Sequence, residues 1–255
     1  MTLADRFRLD GKTALVTGAS KGIGKTLCSV LAEAGADIIA VARDAAGLSE
    51  VRDAVLALGR RCHIIKADLE SAADTRRAAV DALAAMPVID ILVNNAAVAL
   101  IAPLLAATVE DWDTTMAVNL RAPFLLAQAL VPGMIARKSG KIINISSQAG
   151  VIAIKDHAAY AASKGGLNLL TKVMMAEWAM HNIQVNAVCP TIILTPMGEK
   201  VWGAPEKGQP MLDKTPAGRF GMPQEVADLV LFLASPASNL INGDCILIDG
   251  GFASV

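Results

Sequence analysis

Tyrosine occurs once in these 255 residues, and aromatic side chains make up only 4% of the chain. A core must therefore come from aliphatic residues, chiefly Ala, Val, Ile and Leu, within a 54% hydrophobic composition. Charge of one sign is also lacking. The 23 Lys and Arg nearly balance the 24 Asp and Glu, for a formal charge of −1, and no basic run offers a footprint for nucleic acid. Cysteine appears four times, at Cys28, Cys62, Cys189 and Cys245, with no C-x-x-C pair. That pattern reads as reduced core thiols of a cytoplasmic protein. His63, His157 and His181 are too scattered for a metal site, and none is expected. Apolar runs are short: AAVALIAPLLAA has twelve residues and contains Pro103, too few to span a bilayer. The first residues, MTLADRFRLDGK, carry charges where a signal peptide needs an apolar stretch. The expectation is a soluble chain with no membrane partner.

What the sequence does have is alternation. Lys12–Thr17 (KTALVT) is a β-rich run, followed by GASKGIG and an Ala/Leu-rich stretch to Gly35. Strand, glycine turn and helix in that order predict a dinucleotide-binding unit. Gly18, Gly22 and Gly24 permit a tight turn and let the backbone approach a pyrophosphate at the helix's positive end. Ala36–Ala42 is the second strand. Arg43 follows it, Lys21 lies in the glycine turn, and no carboxylate precedes Asp44, which reads as a helix N-cap. Two cations at the strand tip favour a ribose carrying a 2′-phosphate, hence NADP(H) over NAD(H). CHIIKADL is a third strand ending near Asp68, within reach of an adenine edge. VIDILVNNAA is the fourth, with Asn94 and Asn95 at its end, KIINISS the fifth, IQVNAVC the sixth and DCILIDGG the last. A long helix is predicted from about Thr108 to Ala136, with the polar Asn119 among apolar neighbours. The prediction is α/β: a single Rossmann-type doubly wound domain over 1–255. Its parallel sheet has about seven strands with helices on both faces. Residues 191–221, rich in Pro, Gly and Lys, read as a lid over a pocket.

The chemistry concentrates between Ser147 and Lys164. Tyr160 and Lys164 stand four apart in a helical segment, so both share one face. A phenol ionises near 10, and an ammonium beside it is expected to bring that value down toward working pH. Ser147 ends a buried strand, where its hydroxyl can hold a substrate oxygen.

TGASKGIG (17–24), NNAA (94–97), Asn119, Ser147, YAASK (160–164), the Pro190–Thr195–Pro196 region and the terminal DGG occur in this order. Thirteen residues separate Ser147 from Tyr160. Together they resemble the short-chain dehydrogenase/reductase superfamily over essentially the whole chain. The resemblance implies Tyr160 as acid/base, Ser147 as carbonyl positioner, and Lys164 as binder of the nicotinamide ribose. It implies Asn119 as holder of a water in a proton relay. The implied cofactor set is Gly18, Ser20, Lys21, Gly22, Ile23, Gly24, Arg43, Asp68, Leu69, Asn95, Ala96, Tyr160, Lys164, Pro190, Ile193 and Thr195. Two positions depart from the family pattern, Ala97 and Thr191, where glycine is usual. CPTIILTPMG (189–198) with Trp202, the Ser147–Gln148 pair, and His157 three residues before Tyr160 are similar to the L-xylulose/dicarbonyl reductase branch. That branch implies Ser147, Gln148, His157, Tyr160, Thr191 and Trp202 as the substrate contacts. The expected reaction is hydride transfer between NADP(H) and a small carbonyl/alcohol, a ketose/polyol or dicarbonyl. A 3-oxoacyl-thioester reductase and an NAD-dependent polyol dehydrogenase remain as alternatives. The family's habit and two apolar helices (108–136, 158–180) imply a homotetramer.

Overall fold

A computed structural model describes residues 2–195, 198–199, 202 and 204–255. Pro196 of the motif region and Met197 of the expected lid lie outside the described residues. Seven strands form one sheet, all parallel, in the order β3-β2-β1-β4-β5-β6-β7. They are β1 (Thr13–Thr17), β2 (Asp37–Ala42), β3 (Cys62–Lys66), β4 (Ile91–Asn94), β5 (Gly140–Ile145), β6 (Ile183–Pro190) and β7 (Cys245–Ile248). Helices α1 (Gly22–Glu33), α2 (Ala45–Ala57), α3 (Ala72–Ala85), α4 (Val109–Met116), α5 (Ala122–Arg137), α6 (Ala158–Trp178), α7 (Pro205–Leu212) and α8 (Pro223–Ala234) connect them or follow them.

The two-residue period of a strand sends neighbours to opposite faces, and β1 illustrates the consequence. Ala14 and Val16 join Leu27 and Leu31 of α1 and Val226, Val230 and Leu233 of α8 on one side. Leu15, between them, joins Ala78 and Ala82 of α3, Leu126 and Leu130 of α5, and Met174 of α6 on the other. Both faces are thus covered, as a parallel sheet requires. Polar caps start three of the helices. Asp44 accepts from the Ala46 and Gly47 amides, Ser71 from Asp74 and Thr108 from Asp111, each satisfying amides that have no partner inside the helix.

The predicted helix 108–136 is a continuous helical span from Val109 to Arg137, with a π-helical stretch, Ala117–Arg121, at its middle. By length and composition this span could cross a membrane, yet more than half of its most apolar window is buried inside the protein. The strand order reverses between β1 and β4, and the carboxyl ends at such a switch point are the usual ligand site of these sheets.

Candidate active site

Every residue singled out on the strands' flanks lies at the carboxyl edge of the sheet or on a helix facing it. Gly18 and Gly22 take φ values of 65° and 54°, in the left-handed region, so the turn after β1 needs glycine. A Cβ on Gly18 would also come within 2.9 Å of the Ala96 Cα. Asn95 holds this turn from the next strand: its Nδ2 donates to the carbonyl of Thr17 at 2.8 Å and of Gly18 at 3.3 Å. Thr17 Oγ1 in return accepts from the Asn95 and Ala96 amides at 2.9 and 3.0 Å. The first residue positions of α1, from Gly22 and Ile23, follow Lys21, which places no side-chain cap on them. An uncapped twelve-residue helix behind a glycine turn presents amides and a positive dipole end, which fits a dinucleotide's pyrophosphate. Ser20 and Gly24 are buried within the same turn.

Lys21 and Arg43 are exposed at the tips of the turn and of β2. Neither has an ion-pair partner among the described residues. Asp68 follows β3, and its carboxylate accepts from the Glu70 amide at 3.1 Å, with Leu69 buried beside it. Pro190 closes β6. Thr191 donates its amide to the Ile248 carbonyl at 3.2 Å, Ile193 bridges to Gly221, and Thr195 Oγ1 accepts from the Gly198 amide at 3.0 Å.

Ser147 and Gln148 follow β5 directly. The Ala149 amide donates to Ser147 Oγ at 3.1 Å, which leaves the hydroxyl hydrogen for the neighbouring Tyr160 phenol oxygen or a substrate oxygen placed between them. Gln148 is 2% exposed, and its Oε1 is buried with no hydrogen-bond partner. His157 precedes α6 without capping it. Its Nδ1 donates to the Lys155 carbonyl at 2.6 Å, which assigns the neutral ring's proton to Nδ1 and leaves Nε2 an acceptor. The imidazole meets the Tyr160 ring edge-on, with centroids 6.1 Å apart. Trp202 is half-buried, in helical backbone of the 191–221 segment.

Lys164 is the largest side chain that is fully buried, and its Nζ donates to the Ile145 carbonyl at 2.7 Å. It lies 5.7 Å from the centroid of the Tyr160 ring. Burial drives its pKa down to about 8. Loss of hydration pushes the Tyr160 phenol above its ordinary value, only partly offset by the adjacent Ser147 hydroxyl. The expectation that the ammonium lowers the phenol's pKa is therefore corrected for the chain by itself. Burial acts on both groups, and the ammonium loses its proton before the phenol does.

Asn119 sits in the π-helical stretch, 1% exposed. Its carboxamide pairs with both backbone groups of Val98 at 2.9 Å, and Nδ2 also donates to Ser163 Oγ at 3.1 Å. Ser163 Oγ donates onward to the Tyr160 carbonyl at 2.7 Å. The side chain thus braces the loop after β4 against the turn of α6 that carries Tyr160. Among the described residues, no three His, Cys, Asp or Glu side chains gather as metal ligands would.

Several supporting contacts escape a reading of the sequence. Those of Thr17 are one set. Asn94, Asn144 and Thr171 form another group: Asn94 Nδ2 donates to Asn144 Oδ1, and Asn144 Nδ2 to Thr171 Oγ1, both at 2.8 Å and buried. The available signal was an amide inside an otherwise apolar strand (KIINIS), since buried polar groups need partners.

A family model described as enoyl-(acyl carrier protein) reductase matches residues 18–253. The L-xylulose reductase of Bos taurus is 43% identical over 247 residues, 96% of this chain and 98% of that protein. An NAD-dependent glycerol dehydrogenase of Listeria innocua is 41% identical over 247 residues, 96% of this chain and 95% of that protein. The crystal structure of a gluconate 5-dehydrogenase from Burkholderia cenocepacia J2315, in complex with NADP and tartrate, is 40% identical. It superimposes with a TM-score of 0.94 over 100% of both chains. The chain belongs to the short-chain dehydrogenase/reductase superfamily, resembling its L-xylulose reductase branch, and is an oxidoreductase acting on a CH–OH/C=O pair with NAD(P).

Proposed function

We propose that the protein is an NADP(H)-dependent reductase and dehydrogenase of small polar substrates, ketoses and polyols or vicinal dicarbonyls. The observation that carries the substrate class is Gln148. A buried amide oxygen without a partner costs roughly 1–3 kcal/mol, and Gln148, next to Ser147 in the chain, carries one, so a hydroxyl donor brought in by substrate would relieve that cost. His157 Nε2 offers a second acceptor. A site built to pair hydroxyls rejects analogues that lack them. The sugar and polyol names of the relatives support the same class.

Reduction needs a hydride at the carbonyl carbon, which a nicotinamide held by the glycine turn and Lys164 would supply. Ser147 donates its free hydroxyl hydrogen to the carbonyl oxygen, and Tyr160 delivers the proton to the alkoxide that develops there. Lys164 binds the nicotinamide ribose and carries charge beside the phenol, while Asn119 fixes the turn of α6 on which both stand. The glycine turn and the start of α1 hold the pyrophosphate. Lys21 and Arg43, two exposed cations with no ion-pair partner described, would take a 2′-phosphate. NAD dependence is the second reading, because the Listeria innocua relative uses NAD.

Residues 191–221 form a lid. Its base is pinned by the Leu194 amide on the Gly221 carbonyl and the Gly221 amide on the Ile192 carbonyl, at 2.8 and 3.0 Å. Trp112, Phe124, Leu169 and Val173 project exposed from α4, α5 and α6, and a homotetramer would bury them. Free cysteines are compatible with a cytoplasmic setting.

A panel of ketoses, polyols, diketones and 3-oxoacyl thioesters, assayed with both cofactors, tests the substrate class. Turnover of a ketose or diketone with NADPH is expected. Turnover of thioesters alone would replace this reading with a thioester reductase. Sedimentation as a stable monomer at micromolar concentration would remove the tetramer.

A further inference from the structure

Ser147 and Tyr160 must converge on one substrate oxygen, yet they belong to different elements, the turn after β5 and helix α6. Three side-chain hydrogen bonds hold those elements in register. Two act before Ser147: Lys164 Nζ on the Ile145 carbonyl, and Ser146 Oγ on the Lys164 carbonyl at 3.2 Å. The third acts after Gln148. Asn168, one turn beyond Lys164 on α6 and 8% exposed, donates its Nδ2 to the Gly150 carbonyl at 3.2 Å.

The amide is itself held in place. Its Oδ1 accepts from Cys189 Sγ of β6 at 3.6 Å, and its backbone carbonyl accepts from Cys245 Sγ of β7 at 3.8 Å. At Gly150 the turn lies flush against α6: an added Cβ would come within 2.8 Å of Asn168 Nδ2 and of the Lys164 carbonyl carbon. The turn is short and internally bonded, with the Gly150 amide donating to the Ser147 carbonyl at 3.0 Å. A displacement at Gly150 therefore carries over to Ser147 and Gln148. Remove the Asn168 bond and the turn is fastened to α6 at one end only.

We propose that Asn168 is a positioning residue of the reaction, which clamps the Ser147–Gly150 turn to helix α6 so that the Ser147 hydroxyl and the Tyr160 phenol share one target. It touches none of the reacting atoms and acts through Ser147 and Gln148. This inference rests on the catalytic reading above.

A double-mutant cycle tests it on the full chain with NADPH and the best ketose or diketone substrate. Asn168→Leu keeps the approximate shape and removes the donor. Because small misplacements of a catalytic group cost up to about a hundredfold, kcat is expected to fall about tenfold or more. The Kd for NADPH should stay within about twofold. In a Ser147→Ala background the same substitution should cost less than about threefold, since the hydroxyl it positions is already gone. Asn168→Asp is the second variant, in case Leu is not tolerated. It keeps an acceptor toward Cys189 and turns the donor facing Gly150 into an acceptor, so the same loss and the same coupling are expected. Equal losses in the wild-type and Ser147→Ala backgrounds would overturn the clamp and leave the catalytic reading intact. Wild-type turnover by Ser147→Ala would overturn the catalytic reading, and the clamp with it.

Discussion

The titration of Tyr160 is open to direct observation because no other tyrosine is present, and the outcome turns on whether the half-buried phenol or the buried Lys164 amine loses its proton first. An ammonium at Lys164 Nζ, 5.7 Å from the ring centroid, would interact with a phenolate by about 3 kcal/mol at an effective dielectric of about 20. That is worth about two pKa units. The attraction exists only while Lys164 is charged, and burial brings its pKa to about 8. The phenol, itself pushed up by burial, ionises after the ammonium has gone. In the cofactor-free protein, the ultraviolet absorbance of the phenolate should therefore appear above pH 10. Lys164→Met should move that midpoint by less than about half a unit, because the lost charge is already absent there. With oxidised cofactor bound, the positive nicotinamide and the ribose contact at Lys164 favour the phenolate and keep the ammonium charged. The wild-type midpoint should then drop below 10, and Lys164→Met should lose most of the drop. A cofactor-free midpoint at or below 10 would refute the reasoning. So would one that rises by a unit or more in Lys164→Met.

Gln148→Met should keep the volume and remove a buried oxygen that has no partner. The thermal midpoint should hold or rise, while the KM for a polyol increases about tenfold, the worth of one hydrogen bond of about 1.4 kcal/mol. Steady-state kinetics beside calorimetry checks both halves. Arg43→Ala should raise the KM for NADPH by about ten- to a hundredfold, for one charge-assisted bond of about 1.5–3 kcal/mol, with little effect on NADH. A wild type that already prefers NADH contradicts the cofactor assignment but not the fold. The depressed pKa of Lys164 also sets a stability trend. Between about 8 and 10.5 the unfolded chain holds a proton on this group that the folded protein has released, so folding gains stability as pH rises. Relative to Lys164→Met, the wild type should become more stable across that window in denaturant titrations, and parallel curves would contradict the burial assigned to the amine.

Much of the frame was legible because glycine, strand and cap signals are local. KTALVT followed by GASKGIG is β1, a turn with Gly18 and Gly22 in the left-handed region, and α1. Asp44 caps α2 as its position suggests. Tyr160 and Lys164 share a helical face because four residues make about one turn. Other features depend on partners far away in sequence. Asn119 pairs with Val98 across 21 residues and Ser163 across 44, and its π-helical backbone has no letter-level signature. The direction of the Tyr160 shift was misjudged from sequence because proximity in a helix is visible there, while the burial that discharges Lys164 is not. Asn168, among LNLL, carries no signal of its own in the sequence. Only the fold brings Gly150 and Cys189 to it.

The central claim is that Tyr160 delivers the proton during hydride transfer. Tyr160→Phe keeps the ring against His157 and removes only the hydroxyl. Its single-turnover rate with NADPH, on whichever ketose or dicarbonyl the wild type reduces best, should fall by about a hundredfold or more, as loss of a general acid implies. The Kd for NADPH, which the proposed cofactor site assigns to the glycine turn, Lys21, Arg43 and Lys164, should change little. A variant that reduces the substrate at close to the wild-type rate would contradict the account.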